Sequence, residues 1–497
     1  MNKRLGVALK PSAFAVNGIL GAVLIPILLS ASGLAQTKSE ELDKLFGYYN
    51  ENGMFNGVVL AAEDGNVIYE KAFGFADFEN KIPLETSSVF AIGSTTKPFT
   101  ALAIMMLKER RLLSYNDRLI KYFPQFPTYA KPITIRHLLL HTSGIPDYLN
   151  DLNLMDNLHN LPEVTAQIAL DNLIKQPALK SKPGEKFDYS NSNYLLLALI
   201  IEKVSGMNWG EFLKKNIFLP VGMNHTCAYD ESGNAIPGRV NSYEHFNWEK
   251  VDRDLRCKSF GDGNIYSTVQ DMLLFDQALY TEKLISQKTL QAAYDDTGLL
   301  DRRKYVYGFG WKISIDTPGR IISHNSTIGG FRCQFWRDLD KKNTLIILAN
   351  NWWLSETPDI LAGSENIMLG KPYKLGKIRC TLLFYENWYF KGFAAAMNRM
   401  REAKTNESEK YDFPAPPLNQ LGYFFLEKKQ CRETVGVFQF GVELYPDDFN
   451  LWDSLGEAYM TAGDKENAVK CYQKALELKP DLESAKEALK TLGAAIK

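Results

Sequence analysis

The chain has 497 residues, of which 45% are hydrophobic and 23% are charged, and this composition excludes a disordered or fibrous protein. Lysine and arginine number 57 against 58 acidic residues, so the net charge of −1 creates no overall attraction to nucleic acid. The length exceeds what one hydrophobic core usually organises, so we expect a large domain and at least one further unit. The 6 scattered cysteines contain no CxxC pair, which argues against a disulfide scaffold, a thiolate zinc site or a redox dithiol.

The first 35 residues have the three parts of a secretory signal peptide. A basic start precedes an apolar run over residues 13–29, and Gly33 and Ala35 provide small residues at positions −3 and −1 of a cleavage site. An uncleaved membrane anchor is the alternative, because a run that reaches Ala35 is almost long enough to span a bilayer. Cleavage predicts a protein exported to the periplasm or the extracellular space, with membrane attachment only if residues 1–35 are retained.

The next segment predicts a mixed α and β domain with strands near both of its ends. Residues 58–62 and 67–73 flank a Glu-Asp-Gly-Asn turn and predict a β-hairpin. Helical patterns follow at residues 99–113, 134–141, 162–175, 192–205, 208–218, 267–281 and 286–294. Strand patterns return at residues 308–315, 320–324, 331–337 and 344–349, before a last helical pattern at 357–369. Every predicted strand has a partner only if the strands from both ends of this segment form one antiparallel sheet. We therefore expect such a sheet with helices around it.

Two consecutive segments near the C-terminus, residues 415–448 and 449–482, are similar to each other. Their period and their pattern of large and small residues resemble the tetratricopeptide repeat. Gly422 and Gly456 take the same position in the two copies, where the two helices of a hairpin are expected to approach closely. The repeats predict either a surface that recruits a protein partner or a module that packs on the larger domain or mediates self-association.

These patterns divide the chain into four parts. We expect a signal peptide or anchor over residues 1–35 and the mixed domain over residues 36–373. A helical connector is expected over residues 374–412, followed by the repeats and a capping helix over residues 413–497.

Ser94 and Lys97 form the only Ser-x-x-Lys spacing in the chain. An apolar helical pattern follows, and Pro98 is tolerated in a first helical turn, so Ser94 is expected at a helix N-terminus. Residues three apart share one helix face, so the amine can reach the hydroxyl. A desolvated lysine can act as a general base, and the helix N-terminus would stabilise an oxyanion beside Ser94. A capping serine followed by a solvated lysine is the alternative.

Two further segments contain polar groups suited to acyl chemistry. Tyr189 and Asn191 form a Tyr-x-Asn sequence before an apolar helix, where a phenol could shuttle a proton and an amide could bind a substrate carbonyl. A second Tyr-x-Asn at residues 148–150 lacks the following helix and ranks lower. Residues 323–331 include His324 and end a strand pattern in a glycine-rich stretch, whose N–H groups could face an acyl group.

Other common sites find little support in the sequence. It contains no GxSxG, HExxH, P-loop or GxGxxG motif. His137 and His141 are four residues apart, a spacing that can bind metal on a helix. No acidic residue or third ligand lies nearby in sequence, so helix-packing or capping histidines are the favoured interpretation.

Together the three segments resemble the motifs of serine hydrolases related to class C β-lactamases and penicillin-binding proteins. That family has Ser-x-x-Lys, Tyr-x-Asn and Lys/His-Thr/Ser-Gly in this chain order. The resemblance extends to flanking stretches at residues 133–145, 183–197, 261–274 and 307–311. It implies an α/β (α+β) sandwich of the β-lactamase/transpeptidase type, with an antiparallel sheet flanked by helices, a helical subdomain and a separate all-α repeat domain.

The resemblance also implies a role for each matching residue. Ser94 would be the acylated nucleophile, Lys97 its base partner and Tyr189 an aid to acylation and deacylation. Asn191 and His324 would bind the substrate. No metal or organic cofactor is implied, and the ligand would be a small molecule or a peptide.

The third motif departs from the family pattern in two ways. His324 stands where true β-lactamases have lysine, and its partial charge is expected to weaken recognition of an antibiotic carboxylate. Ser326 stands where the family has glycine, and a side chain there could crowd the substrate or re-aim the strand. The resemblance implies that the N–H groups of Ser94 and Thr327 form the oxyanion hole.

The sequence therefore supports two functional hypotheses. The first is an exported serine hydrolase that forms an acyl-enzyme on Ser94 from a peptide, amide or ester, and acts as a D-amino-acid peptidase or esterase rather than as an efficient β-lactamase. The second, motivated by Ser326, is a catalytically impaired relative that senses a ligand while its repeats recruit a protein partner.

Overall fold

The protein is represented by a computed structural model. The structure describes residues 37–151, 164–229, 235–243, 250, 257–258, 260–295, 305–351 and 357–495. The N-terminal segment interpreted as a signal peptide or anchor lies outside these residues. Within the described ranges, no helix combines the length and the apolar character that crossing a membrane requires.

A seven-stranded antiparallel sheet joins the two ends of the larger domain, which confirms the prediction from strand pairing. Its strands are β1 Gly57–Glu63, β2 Asn66–Phe73, β3 Tyr305–Tyr307, β4 Lys312–Ser314, β5 Ile321–Ile328, β6 Phe331–Asp338 and β7 Asn343–Ala349. They are ordered β3-β4-β5-β6-β7-β1-β2 across the sheet. The first and last strands of this sheet in chain order, β1 and β7, pair directly, and Val59 lies opposite Ile347.

The strand predicted over residues 308–315 is wrong in its extent, because the structure has two short strands separated by a turn at residues 308–311. Gly310 takes a positive φ of 83° in this turn. A Cβ atom at Gly310 would lie 2.8 Å from the Cα of Pro98. The turn therefore packs directly against the helix that follows Ser94, and a continuous strand would not reach it.

Helices cover both faces of the sheet. They are α1 Lys38–Glu51, α2 Lys97–Glu109, α3 Leu119–Tyr122, α4 Ile135–Leu139, α5 Ala166–Ile174, α6 Asn191–Ser205, α7 Trp209–Leu213, α8 Leu219–Val221, α9 Val269–Ala278, α10 Gln287–Asp295 and α11 Pro358–Leu369. Leu60 and Ile346 belong to the core shared with α2 and α6. Val59 and Ile347 point to the opposite face and pack with α1 and α11.

His137 and His141, which are four residues apart, do not share a helix. The helix predicted over residues 134–141 ends at Leu139, and His141 has a positive φ of 55°. His137 forms a capping box with Thr134, in which each side chain accepts a hydrogen bond from the other residue's backbone N–H. This contact confirms the capping interpretation for His137.

The C-terminal region is helical apart from a short parallel pairing of Ile378–Arg379 with Tyr411–Asp412. Its helices are α12 Cys380–Lys391, α13 Phe393–Asn406, α14 Ala415–Glu427, α15 Cys431–Leu444, α16 Phe449–Thr461, α17 Lys465–Leu478 and α18 Glu483–Thr491. A Cβ atom at Gly422 would meet the Phe438 ring at 2.3 Å, and one at Gly456 would meet the Tyr472 ring at 2.9 Å. Both glycines therefore lie at the close approach of a helix pair, as the repeat pattern predicts.

The first repeat shares a hydrophobic cluster with the back of the sheet. This cluster contains Val59 and Ile347 from the sheet, Phe384 from the connector and Leu421 and Phe425 from α14. A smaller cluster joins the second repeat to the first, and another joins it to the capping helix. The connector and the first repeat therefore continue the core on the face of the sheet opposite to α2.

Candidate active site

Ser94 lies in a single 3₁₀ turn, Gly93–Thr96, that leads directly into α2. Pro98 occupies the first turn of the helix, where its missing N–H has no intrahelical partner to lose. The turn lies against β5, the strand that carries His324. This geometry confirms that Ser94 stands at a helix N-terminus, with its side chain partly exposed while Lys97 is fully buried.

The Lys97 amine joins three segments of the chain. Its Nζ lies 3.1 Å from the Ser94 Oγ, 2.9 Å from the Asn191 Oδ1 and 2.9 Å from the carbonyl oxygen of Asp262. The Asn191 Nδ2 donates to the Asp147 carboxylate at 2.8 Å, which fixes the amide with its oxygen toward Lys97. The Asn191 Oδ1 and the Asp262 carbonyl oxygen can only accept hydrogen bonds. A neutral Lys97 amine therefore donates its two N–H groups to these oxygens and directs its lone pair to the Ser94 hydroxyl.

Burial favours the neutral form of the Lys97 amine. It lowers the pKa of Lys97, against the opposing charges of the Asp262 and Asp147 carboxylates. Burial likewise raises the pKa of Asp262 from its ordinary range, against the attraction of Lys97. Both shifts favour uncharged groups, so the pocket favours an amine that can accept the Ser94 proton.

The Tyr189 phenol completes the polar group around Ser94. The Ser94 side chain lies beside its hydroxyl, and burial raises the pKa of Tyr189 well above the ordinary tyrosine value. The Lys97 Nζ lies 4.9 Å from the centre of the Tyr189 ring. A phenol held neutral in this way can donate a proton to a leaving group, which a phenolate cannot do.

His324 lies in the same region, with its ring centroid 6.4 Å from that of Tyr189. Its Nδ1 is 2.9 Å from the carbonyl oxygen of Asn325, which can only accept, so Nδ1 bears the ring proton. The Tyr307 hydroxyl then donates to Nε2 at 3.0 Å. Burial, with the charges of Lys312 and Lys97, holds the pKa of His324 well below its ordinary value. Both ring nitrogens are occupied, so a direct contact with substrate remains a prediction.

The strand edge beside Ser94 is partly open. Among the described strands, β4 pairs with β5 only at Ile322 and Ser323. Thr327 pairs with Arg332 of β6 on the other side. The edge of β5 beyond Ser323 is therefore outside the β4 ladder, which is the arrangement that an oxyanion role for the Thr327 N–H requires.

Ser326 packs against the turn that contains Ser94. Its side chain is 7% exposed, and its Oγ has no hydrogen-bond partner within the described residues. A Cβ atom added to Gly93 would lie 3.0 Å from both the Cβ and the Oγ of Ser326. The family has glycine at the position of Ser326. Here the Ser326 side chain fills the space that the absent side chain of Gly93 leaves empty.

Replacing Ser326 with glycine is expected to change kcat/KM by less than about fivefold, because the hydroxyl fills space beside Gly93 rather than the cleft. The reverse change, Gly93→Ala, places a methyl group against Ser326 and is expected to lower kcat/KM by about 10²-fold by displacing Ser94. Steady-state kinetics on one activated ester measures both. A gain of tenfold or more in Ser326→Gly would instead show that Ser326 crowds the substrate.

Sequence reasoning missed three residues that support the site. The Asp147 carboxylate accepts hydrogen bonds from the backbone N–H and the side chain of Asn191 at 2.9 and 2.8 Å. Asp262 supplies the carbonyl oxygen for Lys97, and its carboxylate accepts from the Tyr148 hydroxyl at 3.0 Å. Tyr148, in the lower-ranked Tyr-x-Asn, therefore supports the wall of the site. Two of the three had a sequence signal: Asp262 lies in the family-like stretch 261–274, and Tyr148 belongs to the lower-ranked motif.

Residues 42–357 match the family model described as Beta-lactamase, and residues 449–482 match the Tetratricopeptide repeat model. Penicillin-binding protein 4* of Bacillus subtilis is 37% identical over 359 residues, which cover 68% of this chain and 78% of the relative. Teichoic acid D-alanine hydrolase of Staphylococcus aureus is 31% identical over 263 residues, which cover 52% of this chain and 64% of the relative.

Solved structures show the same architecture. The octameric penicillin-binding protein homologue from Pyrococcus abyssi aligns with a TM-score of 0.61 and 27% identity, over 66% of this chain and 78% of that one. The family match covers more than half of the chain and includes both the sheet and the Ser94 turn. The chain therefore belongs to the β-lactamase family and is a serine hydrolase.

Proposed function

We propose that this protein is an exported hydrolase that forms an acyl-enzyme on Ser94 from a peptide, amide or ester of a D-amino acid. The observation that carries the proposal is the buried Lys97 amine, whose two acceptor partners leave its lone pair for the Ser94 hydroxyl. Export rests on the signal-like character of residues 1–35.

The reaction uses the groups around Ser94 in sequence. The Ser94 Oγ forms a bond to the acyl carbon while its proton passes to Lys97, and the N–H groups of Ser94 and Thr327 stabilise the oxyanion. The neutral Tyr189 phenol then donates its proton to the departing amine or alcohol as the old acyl bond breaks, and the Lys97 ammonium returns a proton to the phenolate. In hydrolysis, a water molecule gives a proton to Lys97 as its oxygen bonds to the acyl carbon. The bond to the Ser94 Oγ then breaks, Ser94 takes a proton back, and the acid is released.

The substrate class is inferred from the relatives and from His324. One relative is named for teichoic acid D-alanine and another for penicillin binding, which supports D-amino-acid acyl groups. His324 is neutral and bound to Tyr307, so it offers a substrate carboxylate no charge comparable to a lysine. We therefore infer weak turnover of β-lactams relative to neutral esters and amides.

A covalent probe tests the proposal. Purified protein incubated with a fluorophosphonate is expected to gain one adduct on Ser94, located by mass spectrometry, and to hydrolyse p-nitrophenyl esters. D-alanyl esters, D-amino-acid amides, D-Ala-D-Ala peptides and nitrocefin then rank the acyl donors, with Ser94→Ala as the control. No adduct and no turnover of any of these substrates would favour the impaired ligand-binding protein instead.

We assign the two alternatives for the repeats to different parts of residues 413–497. The first helix pair contributes Leu421 and Phe425 to the cluster behind the sheet, which supports a packing role. The second repeat matches the tetratricopeptide model over residues 449–482 and has clusters separate from the sheet. We therefore place recruitment of a protein partner on the second repeat.

A further inference from the structure

His141 connects the end of α4 to the loop that carries Tyr189. The chain leaves the helix with a positive φ of 55° at this residue, a conformation that few residues other than glycine adopt. The imidazole turns inward and is fully buried. A positive φ at a bulky buried residue costs free energy, so its retention calls for a compensating role.

His141 holds the backbone on both sides of Tyr189. The Asp188 N–H donates to the His141 carbonyl oxygen at 2.9 Å. The Ser190 N–H donates to the His141 Nδ1 at 3.1 Å. A single residue therefore fixes the peptide groups that flank the phenol.

The imidazole also holds the Tyr189 ring itself. The two rings stack with centroids 4.3 Å apart and planes 29° from parallel. Tyr194 and Tyr307 enclose the imidazole on other sides, with centroids at 5.1 and 4.7 Å. Rotation of the phenol away from Ser94 would break the stacking contact with His141.

The hydrogen-bond network defines the tautomer of His141. The Asn193 Oδ1 accepts from the Ser143 hydroxyl at 2.6 Å, so the Asn193 Nδ2 donates to the His141 Nδ1 at 3.1 Å. Two donors at Nδ1 place the ring proton on Nε2, which has no hydrogen-bond partner within the described residues. His141 therefore leaves one buried N–H without a partner among the described residues. This costs free energy in addition to the cost of its backbone conformation.

We propose that His141 is a positioning residue that holds the Tyr189 phenol beside the Ser94 hydroxyl. The inference rests on the proposed acyl transfer at Ser94. Burial and the charge of Lys97 hold the pKa of His141 well below its ordinary value, so its Nδ1 continues to accept in neutral and mildly acidic solution. The imidazole acts only through Tyr189 and does not contact the substrate.

A double-mutant cycle with Tyr189→Phe separates positioning from general support of the fold. His141→Asn keeps an acceptor oxygen near the place of Nδ1 and tolerates a positive φ, but it removes the stacking ring. It is expected to lower kcat by about 10- to 100-fold with KM within about threefold, because the phenol loses its orientation. In the Tyr189→Phe background the same change is expected to lower kcat by less than about twofold, because no phenol remains to be positioned.

If thermal unfolding shows that the asparagine variant does not fold, His141→Phe takes its place in the same cycle. Phenylalanine keeps a flat ring but has no acceptor nitrogen. His137→Asn, four residues earlier on α4 and outside the site, is the matched control and is expected to leave kcat unchanged. Equal losses from His141 substitution in both backgrounds would show a merely structural role and overturn the inference. Absence of acyl transfer in the unmodified protein would instead overturn the proposed function.

Discussion

Replacing Lys97 with methionine is expected to lower kcat/KM for every acyl substrate by about 10³- to 10⁴-fold. Methionine has nearly the length of lysine and fits the buried channel, but it has no lone pair of comparable basicity for the Ser94 proton. The variant should also react much more slowly with a fluorophosphonate, because acylation needs the deprotonated hydroxyl. Single-turnover labelling followed by mass spectrometry measures this step separately from deacylation.

The pH dependence of the acylation rate shows which protonation state of Lys97 is active. Burial lowers the pKa of Lys97 from 10.5, so the neutral amine, which is the proposed base, forms at a lower pH than for a solvated lysine. The rate of acylation should therefore rise with pH through this lowered pKa and decrease as the amine is protonated below it. Lys97→Met should lose that rising limb rather than merely scale the profile down.

A second lysine on the same helix provides the control. Lys108 lies near the end of α2, is partly exposed and stacks over the Tyr115 ring at 5.6 Å. Lys108→Met should leave both the rate and the profile unchanged. Turnover by Lys97→Met within about tenfold of the original would contradict the assignment of Lys97 as the base, provided that thermal unfolding shows a native fold.

The local parts of this site could be predicted from the sequence because their chemistry depends on short spacings. Ser94 and Lys97 are one helical turn apart, and Pro98 marks where the helix begins. Tyr189 and Asn191 precede a long apolar helix, which fixes their place at its N-terminus. Strand pairing likewise required one sheet from the two ends of the domain, and that sheet is present.

The supporting residues could not be predicted because their contacts arise only from packing between distant segments. Asp262 reaches Lys97 through a carbonyl oxygen, and every residue type has one, so its identity gave no signal. His141 lies in an apolar pattern that reads as continuous helix, whereas the chain turns there to reach the Tyr189 loop. The turn at Gly310 similarly follows from its approach to Pro98, which no local pattern contains.

The position of the third motif also depends on tertiary structure. The resemblance implied that His324 binds the substrate, yet the structure directs both of its nitrogens to Tyr307 and to the backbone of Asn325. Tyr307 lies on β3, two strands away from β5 in the sheet, and the short β4 between them allows the contact. The same short strand leaves the edge of β5 open beside Ser94, so one feature of the sheet both holds His324 and opens the cleft.

Replacing Asp276 with alanine is expected to lower the free energy of unfolding by about 3–5 kcal/mol, because it leaves the Arg337 guanidinium buried without its charge partner. Both side chains are 0% exposed. The Arg337 Nε donates to one oxygen of the Asp276 carboxylate, and the Thr344 hydroxyl donates to the other at 2.7 Å. The pair ties α9 to the central strands β6 and β7, so chemical denaturation should report the loss as a lower midpoint.

An exposed ion pair just beyond the ends of β5 and β6 provides the matched control. Arg320 and Asp340 are also paired, but their side chains are 57% and 46% exposed. Because water already solvates both groups, Asp340→Ala should cost less than about 1 kcal/mol. Replacing Asp276 and Arg337 together with leucine and methionine should recover most of the loss, since no uncompensated charge is then buried. Equal effects at the two pairs would contradict the view that burial, rather than pairing itself, makes Asp276 essential to the fold.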